Sequence, residues 1–158
     1  MATIIKAPAP IVRTPGEPML FLAGSIAMGQ APPWQAAIEQ ALTSTAVTIL
    51  NPRRDDWDAS WRQAIDDPRF REQVEWELAG LEQADLVGMY FAPTTQSPIT
   101  LLELGLTARS GRLIVCCPPG FWRRGNVEVV CARYRIPFAS DQAEFVRLIH
   151  QQIQAIAR

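Results

Sequence analysis

At 158 residues, 48% of them hydrophobic and 20% charged, the chain is long enough for one well-packed domain and too short for two. A net charge of −1 with acids and bases interspersed leaves no electrostatic footprint for a nucleic acid or a membrane surface, which points to small molecules as partners. No apolar run approaches the roughly 20 residues of a membrane span and the N-terminus lacks the apolar core of a signal peptide, so a cytoplasmic location is expected.

Prolines at positions 8, 10, 15 and 18 make residues 1–18 an extended arm, ahead of a single domain over 19–158. Strands and helices then alternate. The pattern predicts strands at Met19–Ala23, Val47–Leu50, Leu86–Phe91, Leu113–Cys117 and Ile136–Ala139. It predicts helices near Pro33–Thr43, Pro68–Ala84, Ile99–Ser110, Val127–Tyr134 and Gln142–Ala157. Five strands alternating with helices imply an α/β fold whose parallel sheet is covered on both faces. A flavodoxin-like doubly wound order, 2-1-3-4-5, is the expected arrangement. There is no internal repeat and no low-complexity tract.

Three cysteines, Cys116, Cys117 and Cys131, give an odd count without Cys-x-x-Cys spacing, so reduced, buried thiols are expected. The one histidine, His150, sits in the amphipathic C-terminal stretch, away from other candidate ligands. These counts argue against a metal site and against a Ser–His or Cys–His dyad. No metal or cofactor is expected, and carboxylates are left to carry any catalysis.

Four places in the chain could hold chemistry. Strand one ends in Gly24-Ser25-Ile26, where a missing side chain at Gly24 allows a ligand close to the backbone; a tight strand-to-loop turn is the alternative. Neither a Gly-x-Gly-x-x-Gly nor a Gly-x-x-x-x-Gly-Lys-Ser/Thr pattern is present, so a dinucleotide or nucleoside triphosphate is not supported. Strand two runs into Asn51-Pro52-Arg53-Arg54-Asp55-Asp56-Trp57-Asp58, whose acids and aromatic face suit a planar heterocycle. A solvated loop with internal Arg–Asp pairs remains the alternative.

In the second helix an apolar stripe through Phe70, Val74, Leu78 and Leu81 has Glu77 on its edge, while Glu72, Glu75 and Glu82 fall farther round. Burial there raises a carboxylic acid's pKa, as a general acid needs; a snorkelling glutamate or an arginine pair is the competing reading. Glu103 is the one acid in the run Ser97–Leu106 and is expected in the first turn or so of the third helix. The helix N-terminus there favours an ionised carboxylate, by roughly 0.3–1 kcal/mol, able to act as a nucleophile. Glu103 as plain decoration of a helix start stays open. Asp85, at the amino end of the third strand, reads as a structural anchor.

These pieces resemble the nucleoside 2-deoxyribosyltransferase family in order and spacing from Met19 to about Arg135. They are Phe-Leu-Ala-Gly-Ser at 21–25, Asn-Pro-Arg-Arg-Asp-Asp-Trp at 51–57, Trp76-Glu77-Leu78, Ala84-Asp85-Leu86-Val87 and Leu102-Glu103-Leu104-Gly105. The resemblance implies base exchange on 2'-deoxynucleosides, with nucleosides and nucleobases as ligands and a homo-oligomer whose sites are completed by a neighbour. It implies that Glu103 attacks the anomeric carbon to form a covalent deoxyribosyl-enzyme. It places Glu77 where the family carries an aspartate that protonates the base. It also puts Gly24, Ser25, Asp56, Trp57 and Ser97 around the substrate, with Asn126 reaching a neighbour's sugar hydroxyl.

Ser97 departs from the family, which commonly has an acid six residues before the nucleophile. Related deoxynucleoside 5'-monophosphate N-glycosidases have serine there, and a Gly-Ser-Ile loop that holds phosphate, usually with a nearby arginine. Here Ala27-Met28-Gly29-Gln30 follows without a basic residue, which keeps transfer ahead of hydrolysis. A non-catalytic nucleotide-binding module is the third reading, since fold alone does not establish function.

Overall fold

The computed structural model describes residues 1–26 and 32–158. Along the chain run β1 (Thr3–Lys6), β2 (Met19–Gly24), α1 (Trp34–Ala41), β3 (Thr48–Asn51), α2 (Pro68–Gln83), β4 (Leu86–Tyr90), α3 (Pro98–Thr107), β5 (Leu113–Cys116), α4 (Arg124–Tyr134), β6 (Phe138–Ala139) and α5 (Gln142–Ile156). The strands form one parallel sheet in the order β1-β3-β2-β4-β5-β6.

The five expected strands keep the doubly wound order, and a sixth joins at the edge. β1 pairs with β3 from Thr3 opposite Thr48 to Lys6 opposite Asn51. Its residues Thr-Ile-Ile-Lys lie ahead of the first proline, so nothing stops them forming a ladder, and they carry the β-branched side chains that strands favour. The arm thus begins as a sheet strand, turns at Ala7–Ala9 where Ala9 N donates to Lys6 O at 2.9 Å, and Lys6 marks the exposed edge. Arg13 Nη1 reaches Asp85 Oδ2 at 2.7 Å, Asp85 Oδ2 also accepts from Met19 N at 2.8 Å, and Trp76 Nε1 donates to Ala9 O at 2.7 Å. These contacts strap the arm across the sheet.

Strand residues alternate between two cores. Met19, Phe21, Ala23, Val87, Met89 and Val115 pack under α2, α3 and α4, whereas Leu20, Leu22, Ile49, Leu86 and Ile114 pack under α1 and α5. Each fully buried side chain of this size contributes about 1.5–3 kcal/mol.

Asp67 caps α2 by accepting from Arg69 N and Phe70 N, with Pro68 in the first turn. The inward residues of this helix are Gln73, Trp76, Gly80 and Leu81; of the expected stripe Leu81 is among them, whereas Phe70 and Val74 are half-buried and Leu78 faces out. Leu78 is 36% exposed. The helix is turned by about one residue because the Phe21 ring lies against Gly80, where an added Cβ would stand 2.5 Å from the ring. That contact draws the glycine edge onto the sheet and swings Leu78 outward.

Candidate active site

In a doubly wound sheet the loops at the carboxyl ends of the strands gather around the switch in strand order. Here the switch lies between β2 and β4, which adjoin while their connections leave in opposite directions. The loops after β2, β3 and β4 carry most of the candidate residues, and α2 and α3 carry the two glutamates.

Glu103 is the sixth residue of α3, in its second turn, and is 9% exposed. The helix-end field has largely faded by then. Burial, followed by the charge of Glu77, pushes its carboxyl up to about 8. Burial therefore works against the expected resting carboxylate and favours the protonated form of Glu103 near neutral pH. Its Oε2 is buried without a hydrogen-bond partner among the described residues.

Glu77 is partly buried on α2. Burial raises its carboxyl to about 6, and a hydrogen bond from Gln73 opposes that rise. Glu77 therefore loses its proton while Glu103 is still neutral, and Glu103 must ionise against an existing carboxylate. The charge of Glu77 thus raises Glu103, whereas a still-neutral Glu103 exerts no such effect on Glu77. Between pH of about 6 and about 8 the two groups together hold one proton.

A hydroxyl cluster stands at the start of α3. Ser97 precedes the helix in the left-handed region (φ 47°, ψ 53°) and its side chain makes no capping bond. Its Oγ lies 2.5 Å from Ser25 Oγ and 2.6 Å from Thr95 Oγ1, and Thr95 Oγ1 is 3.0 Å from Ser25 Oγ. Ala92 N donates to Ser25 Oγ at 2.9 Å. Ser25 and Ser97, far apart in sequence, thus meet at the strand switch. Thr95 completes the cluster and was not singled out from the sequence, although the Thr-rich loop before α3 was its signal.

Gly24 serves packing: at φ +149°, an added Cβ would lie 2.4 Å from Tyr90 O and 2.8 Å from the Trp34 ring. Asp56 is held by Arg54 through two 2.9 Å bonds, with a side chain 66% exposed. That is the internal Arg–Asp pair weighed above. Trp57 packs on Trp61 with ring centroids 5.0 Å apart, and its Nε1 is buried without a partner, as is Arg53 Nη1. Asn126 is exposed in the first turn of α4, which also begins at the carboxyl edge.

Cys116, Cys117 and Cys131 are buried and unpaired, with burial raising their thiols to about 12, 11 and 12. His150 lies on α5 beside Ala41 O. Among the described residues no group of His, Cys, Asp and Glu is arranged to hold a metal ion, and no helix is long and apolar enough to cross a membrane. The stretch Ala27-Met28-Gly29-Gln30, whose composition bears on phosphate binding, lies outside the described residues.

A family model described as nucleoside 2-deoxyribosyltransferase like matches residues 17–121. The chain belongs to this family. The match spans β2 through β5, and so takes in both glutamates of this deoxyribosyltransferase-like protein and its hydroxyl cluster. A conserved protein from Enterococcus faecalis V583 has a similar crystal structure, with a TM-score of 0.59 at 13% identity over 86% of this chain and 99% of that one. At that identity the likeness concerns the fold. No curated protein sequence matches the chain.

Proposed function

We propose that the protein transfers 2-deoxyribose between nucleobases, with Glu103 as nucleophile and Glu77 as acid and base. The observation that carries this is the pair of buried carboxyls on α2 and α3, close enough that the charge of Glu77 helps to raise Glu103, with burial favouring one proton between them near neutral pH. A double displacement needs that inventory: one carboxylate to attack and one acid to protonate. Glu103 oxygen bonds to C1' as the C1'–N bond breaks, and the bond's electron pair goes to the base nitrogen, which takes a proton from Glu77. The incoming base then attacks C1', gives its N–H proton to Glu77, and the ester C–O electrons return to Glu103. For the first step the proton that burial favours on Glu103 must pass to Glu77. Sugar binding beside Glu103 supplies the reason, since developing positive charge at C1' favours the carboxylate there.

Incubating the protein with deoxyinosine and adenine tests this. Deoxyadenosine formed by the unmodified protein and absent with Glu103→Ala is the expected result. Full activity in that variant would remove Glu103 from the mechanism, and saturable nucleoside binding without product would favour a non-catalytic module.

A second reading, hydrolysis of deoxynucleoside 5'-monophosphates, is favoured by the cluster of Ser25, Thr95 and Ser97 at the α3 N-terminus. Hydroxyls beside free helix N–H groups suit a phosphate. Arg53, whose Nη1 has no partner, is a candidate cation from the neighbouring strand end. Base release from a monophosphate without an acceptor base distinguishes this reading from transfer.

The same proposal includes a homo-oligomer with shared sites. Ile99, Leu102 and Leu106 form an outward stripe on α3, 58%, 60% and 61% exposed. Gly105 lies among them with nothing within 4 Å of an added Cβ. A glycine that costs an exposed helix about 1 kcal/mol relative to alanine is accounted for when a second copy's helix crosses there. Asn126, on the neighbouring helix, would then be available to the other copy's sugar. Buried, unpaired cysteines fit a reducing compartment such as the cytoplasm.

A further inference from the structure

Gln73 is 5% exposed on α2, one turn before Glu77 and on the same face. Its Nε2 donates to Pro52 O at 2.8 Å and to Glu77 Oε1 at 2.7 Å. Its Oε1 is buried without a partner among the described residues. A buried amide in a stability role would be expected to satisfy its oxygen as well; here both N–H groups are committed and the oxygen is left over.

The Pro52 carbonyl decides which end of the amide faces Glu77. Turning the amide over would set its oxygen against that carbonyl, acceptor against acceptor, and would lose both bonds. Pro52 is itself fixed, because it directly follows β3 and because Arg53 N donates to Asn51 Oδ1 at 2.9 Å. The donor end of Gln73 is therefore held toward Glu77 by the backbone of the sheet edge.

We infer that Gln73 is a positioning residue: it locks Glu77 Oε1 as an acceptor, so that Oε2 is the oxygen that gives and takes the proton of the departing and incoming bases. Oε2 has no hydrogen bond among the described residues. The role in base exchange rests on the function proposed above; the lock itself does not. Glu103 on α3 is the titratable group coupled to Glu77, and Arg69, Arg71, Glu72, Glu75 and Glu82 on the same helix as Glu77 are exposed. Gln73 opposes the upward pull of burial on Glu77, so its removal moves the titration of Glu77 upward.

The test is a carboxyl-carbon NMR titration of the full chain, unmodified and as Gln73→Met, together with the pH profile of kcat. The expected Glu77 midpoint is about 6 in the unmodified protein and higher by at least roughly half a unit in the variant, where the hydrogen bond is gone. The limb of the kcat profile set by Glu77 should move with it. kcat should fall by roughly 10- to 100-fold, the usual cost of losing a group that orients a reactive one, with KM changed by less than about twofold. In the unmodified protein the Gln73 side-chain amide signals should titrate with Glu77, a measurement that needs no variant to fold. Gln73 signals indifferent to that midpoint, or a folded variant whose Glu77 midpoint stays put, would overturn the inference. Shifted midpoints in a protein that moves no deoxyribose would instead remove the proposed function and leave the lock in place.

Discussion

Replacing Glu103 with glutamine should stabilise the protein by an amount that grows as the pH rises from about 4.5 to about 8. The folded-state value of about 8 lies above the ordinary 4.5, so the folded protein holds a proton that the unfolded chain releases. With a raised acid, stability is complete at pH below about 4.5 and is lost as the pH climbs through about 8. A rise of about 3.5 units at about 1.36 kcal/mol each sets a ceiling of about 5 kcal/mol. Glutamine keeps the shape and has no charge to bury. For a chain of this size about 2–4 °C accompanies each kcal/mol, so Glu103→Gln should melt up to roughly 10–20 °C higher than the unmodified protein at pH 9, while the two coincide near pH 4. Thermal melts across that range, followed by circular dichroism, measure the gap. A gap that stays constant with pH would show that Glu103 is not ionising against burial and Glu77, and the one-proton argument would fall with it.

Three further substitutions examine the frame around the pair. Gly80→Ala puts a methyl 2.5 Å from the Phe21 ring and should cost about 1–3 kcal/mol by overpacking, seen as a lower urea midpoint; an unchanged midpoint would mean that α2 is free to shift. Asp67→Ala removes the acceptor of Arg62 N, Arg69 N and Phe70 N and should cost about 1–2 kcal/mol, read from the same curves. Leu102→Glu places a charge in the outward stripe of α3 and should reduce the mass measured by light scattering while the protomer's circular dichroism is unchanged. An unaltered mass would remove the α3 stripe as the proposed interface.

How much of this was readable in the chain depends on the range of the interaction. The strands were legible because runs such as Leu86–Tyr90 are buried throughout and leave one interpretation of period and length. β1 was hidden by the prolines behind it. The rotation of α2 was hidden because a glycine reads as neutral in a hydrophobic stripe, whereas Gly80 is where Phe21 fits. For Glu103 the sequence offered its distance from the helix start, a local quantity, and the local argument predicted an anion. The opposite outcome comes from burial and from Glu77 on another helix, neither of which is local. Gln73 was within reach, four residues before Glu77, but its partner Pro52 is 21 positions away.

Acids in this protein are otherwise compensated or exposed, which is what separates the two glutamates from decoration. Asp67 caps α2, Asp85 takes Arg13 and Met19 N, Asp56 takes Arg54, and Glu39 accepts from Asn51 at 2.6 Å. Among the described residues Glu77 and Glu103 form no ion pair with an arginine or lysine, and burial dominates the shift of each. Stability alone would have placed leucine at 103, where the helix is otherwise uncharged from Pro98 to Thr107, and the ceiling of about 5 kcal/mol would not arise. A fold with a typical margin of about 5–15 kcal/mol that carries such a cost at a single carboxyl, coupled to the other uncompensated one, fits the proposed use of that group in reaction better than a role in folding.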